Sequence, residues 1–402
     1  MVSFLNKYIL PLSLITLFYQ QFIVFEFISP VKLYMVFILF GALFILMKAS
    51  TVTLYKFSVY EVFWFFFLIS NLCSIFYADN LNTSLSLFIG SLLLLLMYFV
   101  YRVVFSYAFS IETLLLKFYF WFVVLSLLFY VLGLYCFFIL DMQPEGVGYA
   151  SRALFGVLFE DVRPRLRGIA DSPNNFGLFI IIGYSLVLFS DSVAKSKVFL
   201  LLIIISILLS MSITTIVAML IVTFFYFVRQ RRLLIKMVFV ILMSVSVLAI
   251  FYYIADGTYV FSIVEERLNH LGSGSGRFEL WWKTIEYISD RPIMGYGLNQ
   301  SRELFVDYRG YHSTHNAILG IWLESGVFVL SIYLMFWFFL FRSTAILYFK
   351  NKSGNFLFPL SLAMFFFTMS NVTIFTEIFT FFLVITSHYI YHHNHNKIEG
   401  GQ

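Results

Sequence analysis

The chain has 402 residues, of which 61% are apolar and only 12% charged. An ordinary soluble domain carries about 25% charged and roughly 45–50% apolar residues. So few charges cannot cover a water-facing surface, which excludes a cytosolic enzyme, a secreted domain and a disordered chain. The composition predicts an all-α, polytopic integral membrane protein folded as a single membrane domain over 1–402. The formal charge of +5 is scattered over short loops and forms no basic domain, so nucleic acid is not an expected partner. The 53 Phe and 26 Tyr read as lipid-facing and interhelical filling. Cys73 and Cys136 both sit in apolar runs and read as buried thiols, and no metal-ligand spacing of cysteines occurs.

Taken in chain order, apolar runs predict spans near 8–27, 30–48, 57–77, 85–103 and 112–138. Lys7 precedes the first run without a small-residue cleavage site, so that run is read as a retained span. A polar stretch, 139–172, comes next, then a span at 173–190. The run 197–228 is too long for one crossing and splits near Ser210–Thr215, where hydroxyl residues interrupt it. A span at 233–253 precedes a second polar stretch, 254–314. Spans near 326–346, 356–371 and 373–390 complete a set of about twelve. Lys48, Lys56, Arg102, Lys195, Lys197, Arg229, Arg231, Arg232, Arg342, Lys350 and Lys352 then all fall on one side. The positive-inside rule makes that side cytoplasmic, with both termini inside and both long loops outside.

The outward loops hold the residues that hydropathy does not explain. Arg163, Arg165 and Arg167 alternate just before the span at 173, on the side where arginines are disfavoured. Forked guanidinium donors suit phosphate and carboxylate oxygens, so these three are candidate anion ligands. Pro173, Asn174 and Asn175 read as a helix start with a Ser or Asn cap. In the second loop, glycines at 272, 274 and 276 lead into an amphipathic helix in which Phe278, Trp281, Ile285 and Ile288 share a face. Lys283 and Glu286 point to water, and the helix is expected to lie against the membrane or the bundle. The glycine run lacks the Lys-Ser/Thr ending of a phosphate-binding P-loop. Arg277, in the first turn, opposes the helix dipole, and a ligand would account for its placement. His315, at the next helix start, is the best candidate for proton transfer. His312 stands three positions earlier, but two histidines without a third ligand do not make a metal site. Glu324 lies near the membrane boundary, where an acid needs a partner; an arginine or His315 would serve.

Together these residues resemble the shared segment of the O-antigen ligase and O-antigen polymerase superfamily of bacterial inner-membrane proteins. The resemblance rests on Gly276-Arg277 with Trp281, on Pro292 with Gly295-x-Gly297, and on His315-Asn316 with Leu319, Glu324 and Gly326. Arg167-Gly168 followed by Asp171, Pro173 and Asn175 resembles the family's first outer-loop motif, and motif matching covers roughly 163–345. One departure is plain. The family's Ser-Arg pair after the short outward turn is replaced by Leu209-Ser210-Met211-Ser212, so a third positive contact is either absent or supplied by Arg163 or Arg165.

The resemblance implies a polyprenyl-diphosphate-dependent glycosyltransferase of the bacterial inner membrane, with its active site facing the periplasm. Arg167 and Arg277 would stabilise the leaving diphosphate and His315 would act as base. Arg163, Arg165, Asn175, Trp281, His312, Asn316 and Glu324 would bind substrate. No metal or other cofactor is called for. The implied donor is an undecaprenyl-diphosphate-linked oligosaccharide, and the acceptor is a lipid-linked repeat unit or lipid A-core. A chain-length regulator is an implied protein partner. The Phe-rich, weakly patterned remainder favours a polymerase; a ligase is the alternative. A transporter is the lower alternative, because polar residues gather at the outer edge rather than at mid-membrane.

Overall fold

The structure is a computed structural model that describes residues 14–17, 23–26, 30–47, 56–106, 111–148, 151–160, 163–190, 197–229, 277–305, 313–350, 354–370 and 373–399. Helices dominate: α1 (Leu33–Met47), α2 (Val59–Cys73), α3 (Leu81–Ser106), α4 (Ile111–Phe138), α5 (Pro173–Phe189), α6 (Lys197–Leu209) and α7 (Ile213–Arg229) precede the second loop. After it come α8 (Arg277–Asp290), a single helical turn at Ser301–Leu304, α9 (Ala317–Phe349), α10 (Leu357–Ser370) and α11 (Glu377–Glu399). Among the described residues four stretches, Val59–Tyr77, Leu81–Ser106, Ile111–Phe138 and Ala317–Phe349, are long and apolar enough to cross a membrane. Shorter apolar helices, α1, α5, α6, α7 and α10, stand beside them, as a polytopic membrane protein requires.

Several expectations change. The span expected at 8–27 does not end as a helix, because β1 (Ile23–Glu26) pairs antiparallel with β2 (Pro30–Lys32). The span at 233–253 and the glycine run before Arg277 lie outside the described residues. The all-α expectation also misses a four-stranded antiparallel meander in the first loop: β3 (Glu145–Gly148), β4 (Ser151–Leu154), β5 (Val157–Glu160) and β6 (Arg163–Leu166). Alternation in this stretch is the signature of a strand, not of an irregular loop. Cys136 is buried but Cys73 is exposed. On a membrane helix an apolar run does not distinguish a lipid-facing position from a protein-facing one.

The meander is laid against the second half of α4. Gly156 N–H donates to the Phe129 carbonyl at 3.3 Å, and the Tyr130 hydroxyl to the Pro164 carbonyl at 3.2 Å. The Gly156 carbonyl in turn accepts from the N–H groups of Arg167 and Gly168, both at 3.0 Å. This fixes the end of β6, and with it the arginine-bearing segment, relative to α4.

Polar contacts gather at two ends of the helix bundle. At one end Arg102, near the end of α3, pairs with Glu61 at the start of α2 at 3.1 Å, and Ser387 of α11 donates to Glu61 at 3.0 Å. At the other, Lys32 before α1 reaches Asp171 before α5 at 2.6 Å and Glu377 at the start of α11 at 3.2 Å. The split within 197–228 falls at Ser210–Ser212, between α6 and α7, with Met211 in a left-handed conformation at φ 48°.

α9 is interrupted. Gly326 has φ 79° and ψ 178°, which breaks the helix into 317–325 and 327–349. The freed carbonyls of Leu323 and Glu324 accept from the N–H groups of Tyr296 and Gly297 at 2.9 and 2.8 Å, and Val327 N–H donates to the Pro292 carbonyl at 3.2 Å. The segment 292–297 thus fills the break and satisfies the backbone there, as a low-dielectric setting demands.

Candidate functional site

The arginine trio is divided by strand geometry. Within β6, Arg163 and Arg165 fall two positions apart, on one face, while Arg167 lies just past the strand. The Arg165 side chain is buried. Its Nε donates to the Ser210 carbonyl at 3.1 Å, and its Nη1 forms an ion pair with Glu160 of β5. Arg167 turns elsewhere: its Nε and Nη2 donate to the Phe155 carbonyl at 3.2 and 3.1 Å. Burial lowers the pKa of the Arg167 guanidinium from its ordinary value, with the Asp171 carboxylate working the other way. Burial raises the Asp171 carboxyl above the usual range against the opposing charge of Lys32.

A cavity of about 520 Å³ opens where β5–β6, the start of α5, the α6–α7 turn, the start of α8 and the end of α10 converge. Its polar lining includes Glu160, Arg165, Asn174, Ser212 and Arg277; Trp281, Phe278 and Phe366 supply apolar and aromatic wall. Two guanidinium-bearing residues from elements far apart in sequence therefore line one space. Asn174 is held by Ser212, whose hydroxyl donates to Asn174 Oδ1 at 3.0 Å. The helix cap at α5 is Ser172, which accepts from Asn175 N–H at 3.2 Å, with Pro173 in the first turn. Thr214 and Ser370 hydroxyls meet at 3.1 Å and join α7 to α10 beside the cavity.

The buried stripe of α8 differs from the expected face. Leu280, Thr284 and Ile288 are buried, and the two apolar residues among them pack with Tyr296, Phe305 and Leu323. Phe278, Trp282 and Ile285 are exposed at 60%, 75% and 47%, and Trp281 turns to the cavity. The helix has apolar residues on more than one side, so periodicity alone did not select the packed one. Lys283 and Glu286 pair on the surface at 2.8 Å, as water-facing residues.

Trp281 Nε1 donates to the Thr314 carbonyl at 3.1 Å, which ties the cavity wall to the residue before His315. His315 has a left-handed backbone, φ 49°, and does not itself line the cavity. Asn316 is the cap of α9; its Oδ1 accepts from Ile318 and Leu319 N–H at 3.0 and 3.2 Å. Glu324 is buried and accepts from the N–H groups of Asn299 and Ser301 at 3.0 and 3.3 Å and from the Ser301 hydroxyl. Those donors take the place of the arginine or histidine partner expected for it. Gln300 continues this network to Asn80 and Ser84. Of the expected residues, Arg165, Arg277 and Trp281 meet at one cavity, with His315 one residue from Trp281's partner. Arg167, Asn175, Asn316 and Glu324 are not in its lining. His312 lies outside the described residues, as does the Arg163 side chain. Glu160 and Ser212 were missed as cavity residues, and Asn174, which the sequence offered as a cap or as a partner for a sugar hydroxyl, lines the cavity while Ser172 caps the helix; the unread strands were the signal that would have placed Glu160.

Residues 198–334 match a protein family described as O-antigen ligase. The match takes in Arg277, Trp281, His315, Glu324 and Gly326 and begins after the arginine trio. It supports, for this part of the chain, the O-antigen ligase and polymerase superfamily of enzymes acting on lipid-linked glycans. The family's description favours the ligase over the polymerase that the Phe-rich composition suggested. No curated protein matches the chain.

Proposed function

We propose that the protein is a glycan ligase: it transfers an oligosaccharide from a polyprenyl diphosphate to lipid A-core at the outer face of the bacterial inner membrane. The observation that carries this is the convergence of Arg165 and Arg277 in one cavity with Trp281, within and beside the stretch that matches the O-antigen ligase family. In this reading the two guanidinium groups hold the donor's diphosphate. The acceptor hydroxyl attacks the anomeric carbon; the sugar–phosphate C–O bond breaks, and its electron pair goes to the diphosphate. Fixed cationic donors stabilise the charge as it develops. His315 takes the hydroxyl proton. A single displacement of this kind inverts the anomeric configuration. Arg277→Ala removes a charged hydrogen bond of ~1.5–3 kcal/mol. At ~1.4 kcal/mol per tenfold, transfer should fall roughly ten- to two-hundredfold. Arg277→Lys should restore only part of it, because the fork is lost.

The glycolipid profile of cells lacking the protein tests the acceptor. A ligase null leaves lipid A-core bare while long polyprenyl-linked glycans accumulate. Core that still carries one repeat unit, with the ladder of longer chains gone, would instead assign the polymerase reaction. An unchanged profile in a strain that makes the glycan would refute both.

A further inference from the structure

We propose that Glu160 is a built-in competitor of the substrate: its carboxylate and the donor's diphosphate take turns on Arg165, and it thereby sets how tightly the diphosphate is held. The proposal rests on the transferase reading above. Strands β5 and β6 are antiparallel, with Leu158 opposite Arg165 and Glu160 opposite Arg163. That register sets the Glu160 carboxylate against Arg165 Nη1, inside the cavity that Arg277 also lines. The two partners are not equally fixed. The Arg165 side chain is 8% exposed and is bonded through Nε to the Ser210 carbonyl; the Glu160 side chain is 38% exposed. The guanidinium is the more enclosed member of the pair and the carboxylate the more exposed one, and in this proposal the carboxylate is the partner that moves.

Carboxylate and phosphate oxygens accept the same charge-assisted bonds from a guanidinium. An entering diphosphate therefore meets an Arg165 edge already covered by an acid, and a carboxylate left beside it would repel it. The arrangement has a chemical use. Transfer frees a phosphate oxygen, so the departing polyprenyl diphosphate carries more negative charge than the glycosylated donor. A purely cationic pocket would hold this product more tightly than the donor and stall. A carboxylate that swings back onto Arg165 offsets that excess.

The sign of one effect separates this role from simple support of Arg165. If Glu160 only orients the guanidinium, removing its charge weakens diphosphate binding. If it competes, removal strengthens binding. The test measures undecaprenyl diphosphate binding to the purified full-length protein in detergent micelles, for wild type, Glu160→Gln, Arg165→Ala and the double variant. Glu160→Gln should bind about three- to tenfold tighter. The gain should be smaller in the Arg165→Ala background, where there is no guanidinium to compete for. Unchanged or weaker binding by Glu160→Gln overturns the proposal, and so does a gain as large without Arg165 as with it. Phosphatidylglycerol serves as a second probe; an equal gain with it would overturn the assignment to diphosphate. If Glu160→Gln does not purify as a monodisperse protein, Glu160→Ser is read in the same assay by the same criteria. Wild-type affinity in Arg277→Ala would instead count against the transferase reading, which keeps the two failures apart.

Discussion

Arg165 and Arg167 stand two positions apart, yet only the first lines the cavity, and this divides their predicted effects. Arg165→Ala should lower glycan transfer roughly ten- to two-hundredfold, on the scale of one charged hydrogen bond. Arg167→Ala removes the bonds to the Phe155 carbonyl and should act first on the stability of the β4–β5 turn. Its signature is a lower unfolding temperature in detergent with a smaller loss of transfer. Equal losses of transfer from both, at unchanged stability, would put Arg167 in the donor site as the sequence alone suggested. His315→Ala tests a different part of the reaction. It should block transfer while donor binding is retained, and efficient transfer by that variant would remove the histidine as base. These residue types were legible because each stood where local energetics did not want it. Their grouping was not, since the choice between Arg165 and Arg167 depends on a strand that hydropathy does not reveal.

Among the elements, α9 is the one whose interruption shapes the site. A Cβ at Gly326 would lie 1.8 Å from the Ile293 carbonyl oxygen, and its φ of 79° is one that side chains rarely adopt. Gly326→Ala should therefore destabilise the protein by about 1–3 kcal/mol, or more if the 292–297 segment is expelled. Thermal unfolding in detergent measures it; a wild-type midpoint would mean that the break in α9 tolerates a side chain. Pro292, Gly295, Gly297 and Gly326 were visible in the sequence as parts of the motif that carries the family resemblance. That they meet as one backbone-paired wedge was not, because the bonds run between segments about thirty positions apart. Helix existence was easier to read. Ten of the expected spans correspond to α1–α7 and α9–α11, since long apolar runs leave the backbone few alternatives in lipid. The short meander of β3–β6 gave only a weak alternation amid polar residues.

For the whole molecule, the expected orientation places the cavity, Lys32 and His315 outside and the Glu61–Arg102 pair inside. With Cys73 and Cys136 replaced, cysteines at Arg152 and Arg302 should react with an impermeant maleimide in intact spheroplasts. A cysteine at Lys350 should react only after permeabilisation. The reverse pattern would invert the protein and put the cavity on the wrong side for a glycan acceptor. This orientation is an expectation from the distribution of Lys and Arg. The complementary evidence, that ion pairs from distant segments sort into two layers, needs the fold, because Lys32, Asp171 and Glu377 have no sequence relationship.

That last trio, with Glu61, Arg102 and Ser387, also bears on how the chain is assembled during synthesis. Arg102 and Glu61 are 3% and 1% exposed, and both belong to the first third of the chain. The Ser387 hydroxyl that completes their network, and the Glu377 carboxylate that shares Lys32, both arrive with α11. Until α11 is released from the ribosome, these early helices hold a charged pair without its last hydrogen-bond donor and a lysine without one of its two carboxylates. Desolvated charge of this kind is costly until every partner is in place. α11 therefore completes both polar clusters, the one at Lys32 and the one at Glu61. A chain that stops before α11 keeps these charges short of partners.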